Sequence, residues 1–215
     1  MSQQQAMDRM YRYQRHFYDL TRKYYLLGRD KLVQDMVVAP HEHILEIGCG
    51  TARNLIKLAK LRPQAHLYGL DASHEMLITA QEKIKTEGLS DNIHVVQCLA
   101  EELDYQKTFG LTKQFDSVFY SYSLSMIPPW QAAVDAGIRN LKSKGTLYIV
   151  DFSDQRDLPA WFRKVLVGWL DLFGVHYQPD LLPYLQELEK QGKGKLTVES
   201  LFKHYSFIAK FELTE

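Results

Sequence analysis

Short apolar runs alternate with stretches of helical periodicity through most of this 215-residue sequence, and this alternation constrains the fold more than any other feature. A repeated order of strand, helix and strand predicts a parallel sheet with helices on both faces. Seven runs have the length and composition of strands: His43–Ile47, Ala65–Leu70, Asn92–Gln97, Phe115–Ser121, Thr146–Val150, Leu196–Leu201 and Tyr205–Leu213. We therefore expect an α/β protein with a doubly wound sheet of about seven strands, mostly parallel with an antiparallel last strand.

Local signals predict several helix boundaries. Ser73 is placed to cap the helix that follows the second strand, and Gly88 is placed just after the end of that helix. Pro128 and Pro129 are placed to start a helix over Trp130–Leu141, because proline suits the first turn of a helix.

One domain accounts for the chain, since no linker, repeat or low-complexity tract divides it. Residues 7–36 and 158–192 have helical patterns, and the second stretch is broken at Gly174 and Pro179. The organisation expected for residues 1–215 is an N-terminal helical lid (1–36), a cofactor-binding core (42–151), a helical insertion for substrate or membrane (152–194) and closing strands (195–215).

Charge and cysteine content argue against several classes of protein. Lys and Arg number 26, as do Asp and Glu, so the zero net charge disfavours binding of nucleic acid through bulk charge. Cys49, Cys98 and the eight scattered histidines lack metal-ligand spacing, so no metal site is predicted. Residues 1–15 are too polar for a signal peptide, and no run approaches the roughly 18 apolar residues of a spanning helix. The expected compartment is the cytoplasm.

The strongest functional signal is the Gly48-Cys49-Gly50 turn directly after the first strand. Such a turn brings the backbone close to a ligand, and the helix that follows points its N–H groups at a carboxylate or phosphate. A dinucleotide site would have a third glycine where this chain has Arg53, whose side chain would obstruct a pyrophosphate. Glu46, just before the turn, would repel a pyrophosphate but can accept a hydrogen bond from an ammonium group.

Asp71 ends the second strand, 21 residues after Gly50. An acidic residue at this point can accept hydrogen bonds from both ribose hydroxyls of a nucleoside. The alternative is that Asp71 caps the next helix beside Ser73.

Together these residues resemble the class I S-adenosylmethionine-dependent methyltransferases, over about Glu42 to Asp151. The resemblance implies a Rossmann-like fold in which the glycines lie under the methionine portion of S-adenosylmethionine, Asp71 holds the ribose, and Ala72 and Met76 flank the adenine. Two positions depart from the family pattern. Ala52 replaces a glycine, which is acceptable if Ala52 is already helical, and Leu99 replaces an aspartate, so Ala100 or Glu101 would have to face the adenine amino group. The expected cofactor-binding residues are Tyr18, Tyr25, Glu46, Gly48, Cys49, Gly50, Asp71, Ala72, Met76, Ala100, Glu101 and Ser121.

Three further segments are similar to the bacterial betaine-lipid N-methyltransferases: Tyr18–Asp30, Ser121–Pro128 and Val150–Arg163. That resemblance implies methylation of the amino group of diacylglyceryl-homoserine, up to three times, to form the trimethylated betaine lipid. The partners it implies are the amino-lipid substrate, an anionic membrane surface and the enzyme that makes diacylglyceryl-homoserine. It also implies a peripheral position on the inner face of the cell membrane.

The leader, residues 1–31, has a net charge of +4 and is rich in tyrosine, so it suits an anionic partner. It could close as a lid, with aromatic faces around the ammonium group, or simply pack on the sheet. The apolar face of residues 161–173 either packs in the protein, lining an acyl pocket, or lies in a membrane interface. The expected catalytic residues are Ser121, Tyr122 and Tyr25, and the expected substrate contacts are Tyr11, Tyr24, Tyr122, Trp161 and Trp169. No dedicated general base is identified.

Three other functions stay open. One is a methyltransferase for another acceptor, such as phosphatidylethanolamine, a quinone precursor or a small amine. Another is a non-catalytic S-adenosylmethionine-binding module at the membrane. A nicotinamide-dependent dehydrogenase is the third, and Arg53 argues against it.

Overall fold

The computed structural model of the protein describes residues 25–159, 164, 168 and 177–214. The strands are β1 (His43–Ile47), β2 (His66–Asp71), β3 (Ile93–Gln97), β4 (Phe115–Ser121), β5 (Leu141–Phe152), β6 (Gly194–Leu201) and β7 (Ser206–Leu213). The helices are α1 (Arg29–Asp35), α2 (Arg53–Leu61), α3 (His74–Thr86), α4 (Tyr105–Phe109), α5 (Trp130–Arg139) and α6 (Leu181–Lys190). Short 3₁₀ turns lie at Ala100–Glu102 and Leu124–Met126.

The strands form one sheet in the order β3-β2-β1-β4-β5-β7-β6. Neighbours from β3 to β5 pair in parallel, and β7 runs antiparallel to both β5 and β6. The predicted seven-stranded, mostly parallel sheet with an antiparallel last strand is therefore confirmed. Because β1 to β5 run in one direction, their carboxyl ends meet along a single edge of the sheet, which we call the carboxyl edge.

Helices cover both faces of the sheet, as the continuous apolar runs of the strands require. Buried side chains of α1, α2 and α3 pack on one face, and those of α5 and α6 pack on the other, together with partly buried side chains of α4. Ser73 caps α3 as predicted, since its Oγ accepts a hydrogen bond from the Met76 amide at 3.4 Å. Within the described ranges, no helix combines the length and apolar character needed to span a bilayer.

Strand β5 is longer than the predicted Thr146–Val150, and the helix before it ends earlier than the predicted Leu141. Asn140 explains the early end, because its side-chain amide donates to the carbonyl oxygens of Ala136 and Leu103 at 2.8 and 3.0 Å. The chain then enters the sheet, where Leu141 pairs with Phe115. Exposed polar residues over 142–144 hide this first part of β5 from a search for apolar runs.

The predicted helical flanks are described only in part. Of the expected helix over residues 7–36, the described portion contains α1, which begins after Gly28. Of the insertion, the described portion contains α6, which starts just after Pro179. The rest of the expected lid and most of 160–176 lie outside the described residues.

Candidate active site

The glycine turn after β1 lies at the carboxyl edge of the sheet. Gly48 has φ +76°, and a Cβ there would lie 2.4 Å from the Cβ of Ser123, so only glycine fits this position. The backbone amides of Gly48 and Cys49 both donate to the carbonyl oxygen of Leu70, at 2.8 and 3.0 Å. These contacts join the ends of β1, β2 and the segment after β4 into one rigid corner.

Gly50 serves a different purpose from Gly48. It also has a positive φ, +53°, but apart from its chain neighbours no atom of the described residues lies within 4 Å of the position that its Cβ would take. The backbone therefore faces open space at this residue, and a ligand can approach it closely.

Ala52 adopts a left-handed conformation, with φ 59° and ψ 21°, and immediately precedes α2. The expectation that Ala52 is already helical is wrong. A left-handed alanine costs about 1 kcal/mol, and the fully buried position of its methyl group offsets part of that cost.

Asp71 bridges two backbone segments at the end of β2. Its Oδ2 accepts from the Gly50 amide at 2.8 Å, and its Oδ1 accepts from the Ser73 amide at 2.9 Å. A carboxylate accepts about four hydrogen bonds, so these two do not exhaust its capacity. The capping role considered for Asp71 belongs to Ser73, and the ribose-binding role stays a prediction.

Glu46 is buried, and one of its oxygens has no partner among the described residues. Its Oε1 accepts from the side-chain amide of Asn54 at 2.7 Å. Burial raises the pKa of Glu46 to about 8, and the hydrogen bond from Asn54 and the charge of Arg29 oppose that rise. A buried oxygen without a partner can accept a hydrogen bond from a ligand ammonium group. Sequence reasoning missed Asn54, because nothing in the motif marks a residue of α2 as the partner of Glu46.

Cys49 takes part in the glycine turn through its backbone amide, which donates to Leu70. Its side chain points into the protein, since a Cβ on Gly69 would lie 2.8 Å from the Cys49 sulfur. Burial raises the pKa of the Cys49 thiol well above its usual range, so the thiol stays neutral.

The segments expected to hold an adenine come together beside Asp71. The Cys98 amide donates to the carbonyl oxygen of Asp71 at 3.1 Å, and the Gln97 side chain donates to that of Ala72 at 3.0 Å. These contacts join the ends of β2 and β3, where the turn containing Ala100 and Glu101 begins. Met76 is buried at the start of α3, and Leu99 is half-buried.

Tyr122 lies at the carboxyl edge with its side chain buried, and its catalytic role stays a prediction. Its hydroxyl donates to the carbonyl oxygen of Leu27, and its ring meets that of Phe152 edge-on at 4.7 Å. Burial raises the pKa of this phenol well above its usual range. The position at the carboxyl edge was predicted correctly, but the buried hydroxyl favours an anchoring role over catalysis. Ser121 ends β4, and its buried Oγ has no partner among the described residues.

The first described residues of the leader are fastened to the carboxyl edge. Besides Tyr122, Ser206 donates to the Leu27 carbonyl at 3.3 Å, and the Tyr205 hydroxyl donates to the Tyr25 carbonyl at 2.7 Å. The Tyr25 side chain is itself buried. Tyr11, Tyr18, Tyr24, Trp161 and Trp169 lie outside the described residues, so their predicted contacts stay predictions.

Arg53 and Lys57 of α2 hold the start of α1. Both pair with Asp30, each at 2.9 Å, and these two cations lower the pKa of Asp30 to about 2 against the effect of its partial burial. The arginine that argues against a dinucleotide site is therefore used to dock the leader.

The comparisons with known proteins agree with this geometry. A family profile described as "Methyltransferase domain" matches residues 39–169, more than half of the chain. The demethylmenaquinone methyltransferase of Listeria monocytogenes is 28% identical over 193 residues, which cover 86% of this chain and 78% of the relative. The ubiquinone/menaquinone biosynthesis C-methyltransferase UbiE of Vibrio campbellii is 26% identical over 179 residues, which cover 78% of this chain and 65% of the relative.

A solved structure gives the same fold. The S-adenosylmethionine-dependent methyltransferase SibL superposes with a TM-score of 0.71 at 15% identity, over 93% of this chain and 58% of SibL. At that identity the likeness concerns the fold alone.

The residues around the glycine turn fit S-adenosylmethionine. Gly50 opens on free space, Glu46 offers an oxygen to an ammonium group, and Asp71 offers a carboxylate at the end of β2. The predicted cofactor and the predicted methyltransferase activity are both confirmed. The chain therefore belongs to the methyltransferase-domain family and is an S-adenosylmethionine-dependent enzyme.

Proposed function

We propose that this enzyme methylates a lipid-soluble acceptor, and that the acceptor is a quinone precursor methylated at a ring carbon. The observation that carries this proposal is the likeness to the two relatives from Listeria and Vibrio, both named for quinone methylation. It corresponds to an alternative of the sequence analysis rather than to its main interpretation.

The acceptor must give up a proton, because a ring carbon that gains a methyl group loses one hydrogen, and an ammonium group must be deprotonated before its nitrogen can attack. The cofactor, when bound, supplies an electrophilic methyl group, and the protein has to align the acceptor and take its proton. Asp151, at the carboxyl end of β5, suits the second task. Burial raises its pKa to about 7, while the amides of Phe152 and Ser125 donate to it at 2.8 and 3.2 Å.

The amino group of diacylglyceryl-homoserine is the second candidate acceptor, and one feature of the structure favours it. The three segments similar to the betaine-lipid enzymes are distant in sequence, yet their described parts touch one another. Tyr122 donates to Leu27 of the leader, and Ser125 donates to Asp151. Similar segments whose described parts meet at the carboxyl edge are what a shared acceptor site would require.

One assay separates the two acceptors. The purified protein is incubated with methyl-labelled S-adenosylmethionine and either demethylmenaquinone, kept as its electron-rich quinol by an added reductant, or diacylglyceryl-homoserine in the same detergent, and the products are identified by mass spectrometry. We expect one methyl group on the quinone ring. Stepwise addition of up to three methyl groups to the lipid amine would replace this proposal by the second one. Cofactor binding without product on either lipid would contradict both.

A further inference from the structure

Two loops at the carboxyl edge are joined into one structure, which we call the edge platform: residues 153–157 after β5 and residues 202–205 between β6 and β7. The Ser153 amide donates to the Tyr205 carbonyl at 3.0 Å, and the Gln155 amide donates to the His204 carbonyl at 2.8 Å. The His204 Nδ1 and a carboxylate oxygen of Asp157 lie 2.6 Å apart. These contacts fix the turn between β6 and β7 against the loop that follows β5.

An aromatic side chain is exposed to solvent at the tip of the platform, which consists of residues 202–204. Phe202, Lys203 and His204 are three consecutive non-glycine residues in the left-handed conformation, with φ of 51°, 57° and 56°. This backbone is unfavourable for such residues, and it persists only where surrounding contacts impose it. Phe202 is nevertheless 56% exposed, so the strained turn does not bury its ring.

A second exposed aromatic residue belongs to the same region. Tyr177 is 38% exposed and lies within electrostatic reach of Asp154 and Arg156 of the platform. Among the described residues, the other large apolar side chains that are exposed are aliphatic and lie elsewhere. They are Val37 and Leu61, near the amino ends of the strands, and Val198 in β6. Within the part of the chain that the structure describes, the exposed aromatic side chains are thus the two at the carboxyl edge, Phe202 and Tyr177.

We propose that the edge platform docks on a lipid bilayer, with Phe202 at the boundary between headgroups and acyl chains and Lys203 among the lipid phosphates. Rings with a neighbouring polar or charged group suit the membrane interface. A protein partner would need a broad contiguous apolar surface, whereas the platform offers one tip and one flanking ring. This inference rests on the proposed function, because docking here would turn the methylation edge toward the membrane that holds a lipid-soluble acceptor.

The test measures the binding of purified protein to vesicles of phosphatidylcholine and phosphatidylglycerol, with no methyl acceptor present. Phe202→Asn removes the ring and keeps a residue type that tolerates the left-handed conformation. The matched control is Val37→Asn, which removes a 75% exposed apolar side chain from the other end of the sheet. We expect Phe202→Asn to weaken partitioning about tenfold and Val37→Asn to leave it unchanged.

Two further measurements keep the outcome clear. Unfolding temperature and affinity for S-adenosylhomocysteine should be equal in both variants, and so should methyl transfer to an acceptor dispersed in detergent. Equal vesicle binding by Phe202→Asn and the parent protein would overturn the proposal, as would a parent protein that ignores vesicles but self-associates through Phe202. Vesicle binding without activity on either lipid would instead support docking while contradicting the proposed function.

Discussion

Two carboxylates beside the glycine turn are held in opposite ways. Asp71 is fixed by backbone amides at both of its oxygens, whereas Glu46 keeps one buried oxygen without a described partner. The orientation of the Asp71 carboxyl group is therefore fixed, as its predicted contact with the hydroxyl groups of a ribose would require. Glu46 is a group whose charge state can depend on what binds beside it.

Asp71→Asn should weaken cofactor binding much more than it weakens the fold. We expect affinity for S-adenosylhomocysteine to fall about tenfold to a hundredfold, because a charge-assisted hydrogen bond contributes about 1.5–3 kcal/mol. Isothermal titration calorimetry measures the affinity, and urea denaturation measures the stability.

The matched control for this change is Asp104→Asn. Asp104 also accepts from two backbone amides, those of Gln106 and Lys107, but at the start of α4 and away from the glycine turn. Its substitution should leave the affinity unaltered. If Asp71→Asn bound the ligand as tightly as the parent protein does, Asp71 would not contact the ribose.

Site residues that stand at the end of a predicted strand could be predicted from the sequence. Contacts between segments that meet only in the folded protein could not. Gly48, Gly50 and Asp71 stand at strand ends, where the alternation of elements places them on one edge. Asn54 was missed, and the contact of Ser123 with Gly48 was not foreseen, because both depend on how α2 and the segment after β4 pack. The direction of a side chain at the edge, as for Tyr122, depends on the same packing.

The leader is attached to the sheet by hydroxyl groups from two separate strand ends. Tyr122 follows β4, while Tyr205 and Ser206 lie at the start of β7, and all three donate to carbonyl oxygens of Tyr25 or Leu27. Ion pairs from α2 to Asp30 fix the next residues. Helix α1 and residues 25–28 before it are thereby held at the carboxyl edge.

Tyr122→Phe separates an anchoring role from a catalytic one. An anchor should lose about 1 kcal/mol of unfolding free energy, since one hydrogen bond disappears and Ser206 still donates to the Leu27 carbonyl. Turnover should stay within a few fold of the parent rate. Tyr120→Phe is the control, because Tyr120 is equally buried and donates to the Ala133 carbonyl at 2.6 Å on the opposite face of the sheet. A hundredfold loss of turnover in Tyr122→Phe alone would restore the catalytic interpretation.

Strands were easier to predict than the connections around them. Strands β1 and β4 match their predicted bounds because both are short, mostly buried runs in which apolar residues predominate. The first part of β5 and the five-residue helix α4 were missed, since exposed polar residues dominate the first and no side chain of the second is fully buried. The position of β7 between β5 and β6 follows from tertiary pairing rather than from any local pattern.

Two buried carboxyl groups bind a proton more tightly in the folded protein than in the unfolded chain. Burial raises the pKa of Glu46 to about 8 and that of Asp151 to about 7, from ordinary values of 4.5 and 3.8. Where the folded state binds more protons than the unfolded state, stability falls as the pH rises. His43 has the opposite effect on stability, because burial lowers its pKa below 6.5. It makes stability rise with pH, but only up to about pH 6.5, where the histidine of the unfolded chain has lost its proton.

The unfolding free energy should therefore decrease between pH 6.5 and pH 8 by an amount on the order of 1–3 kcal/mol. Urea denaturation at half-unit steps of pH measures the slope. Glu46→Gln should remove the part of the slope that extends to pH 8, and Asp151→Asn should remove the part that ends near pH 7. The slope is the diagnostic quantity, because either amide also shifts the absolute stability by changing a buried hydrogen bond. A parent protein whose stability is constant or rises over this interval would show that neither carboxyl group stays protonated in the folded state.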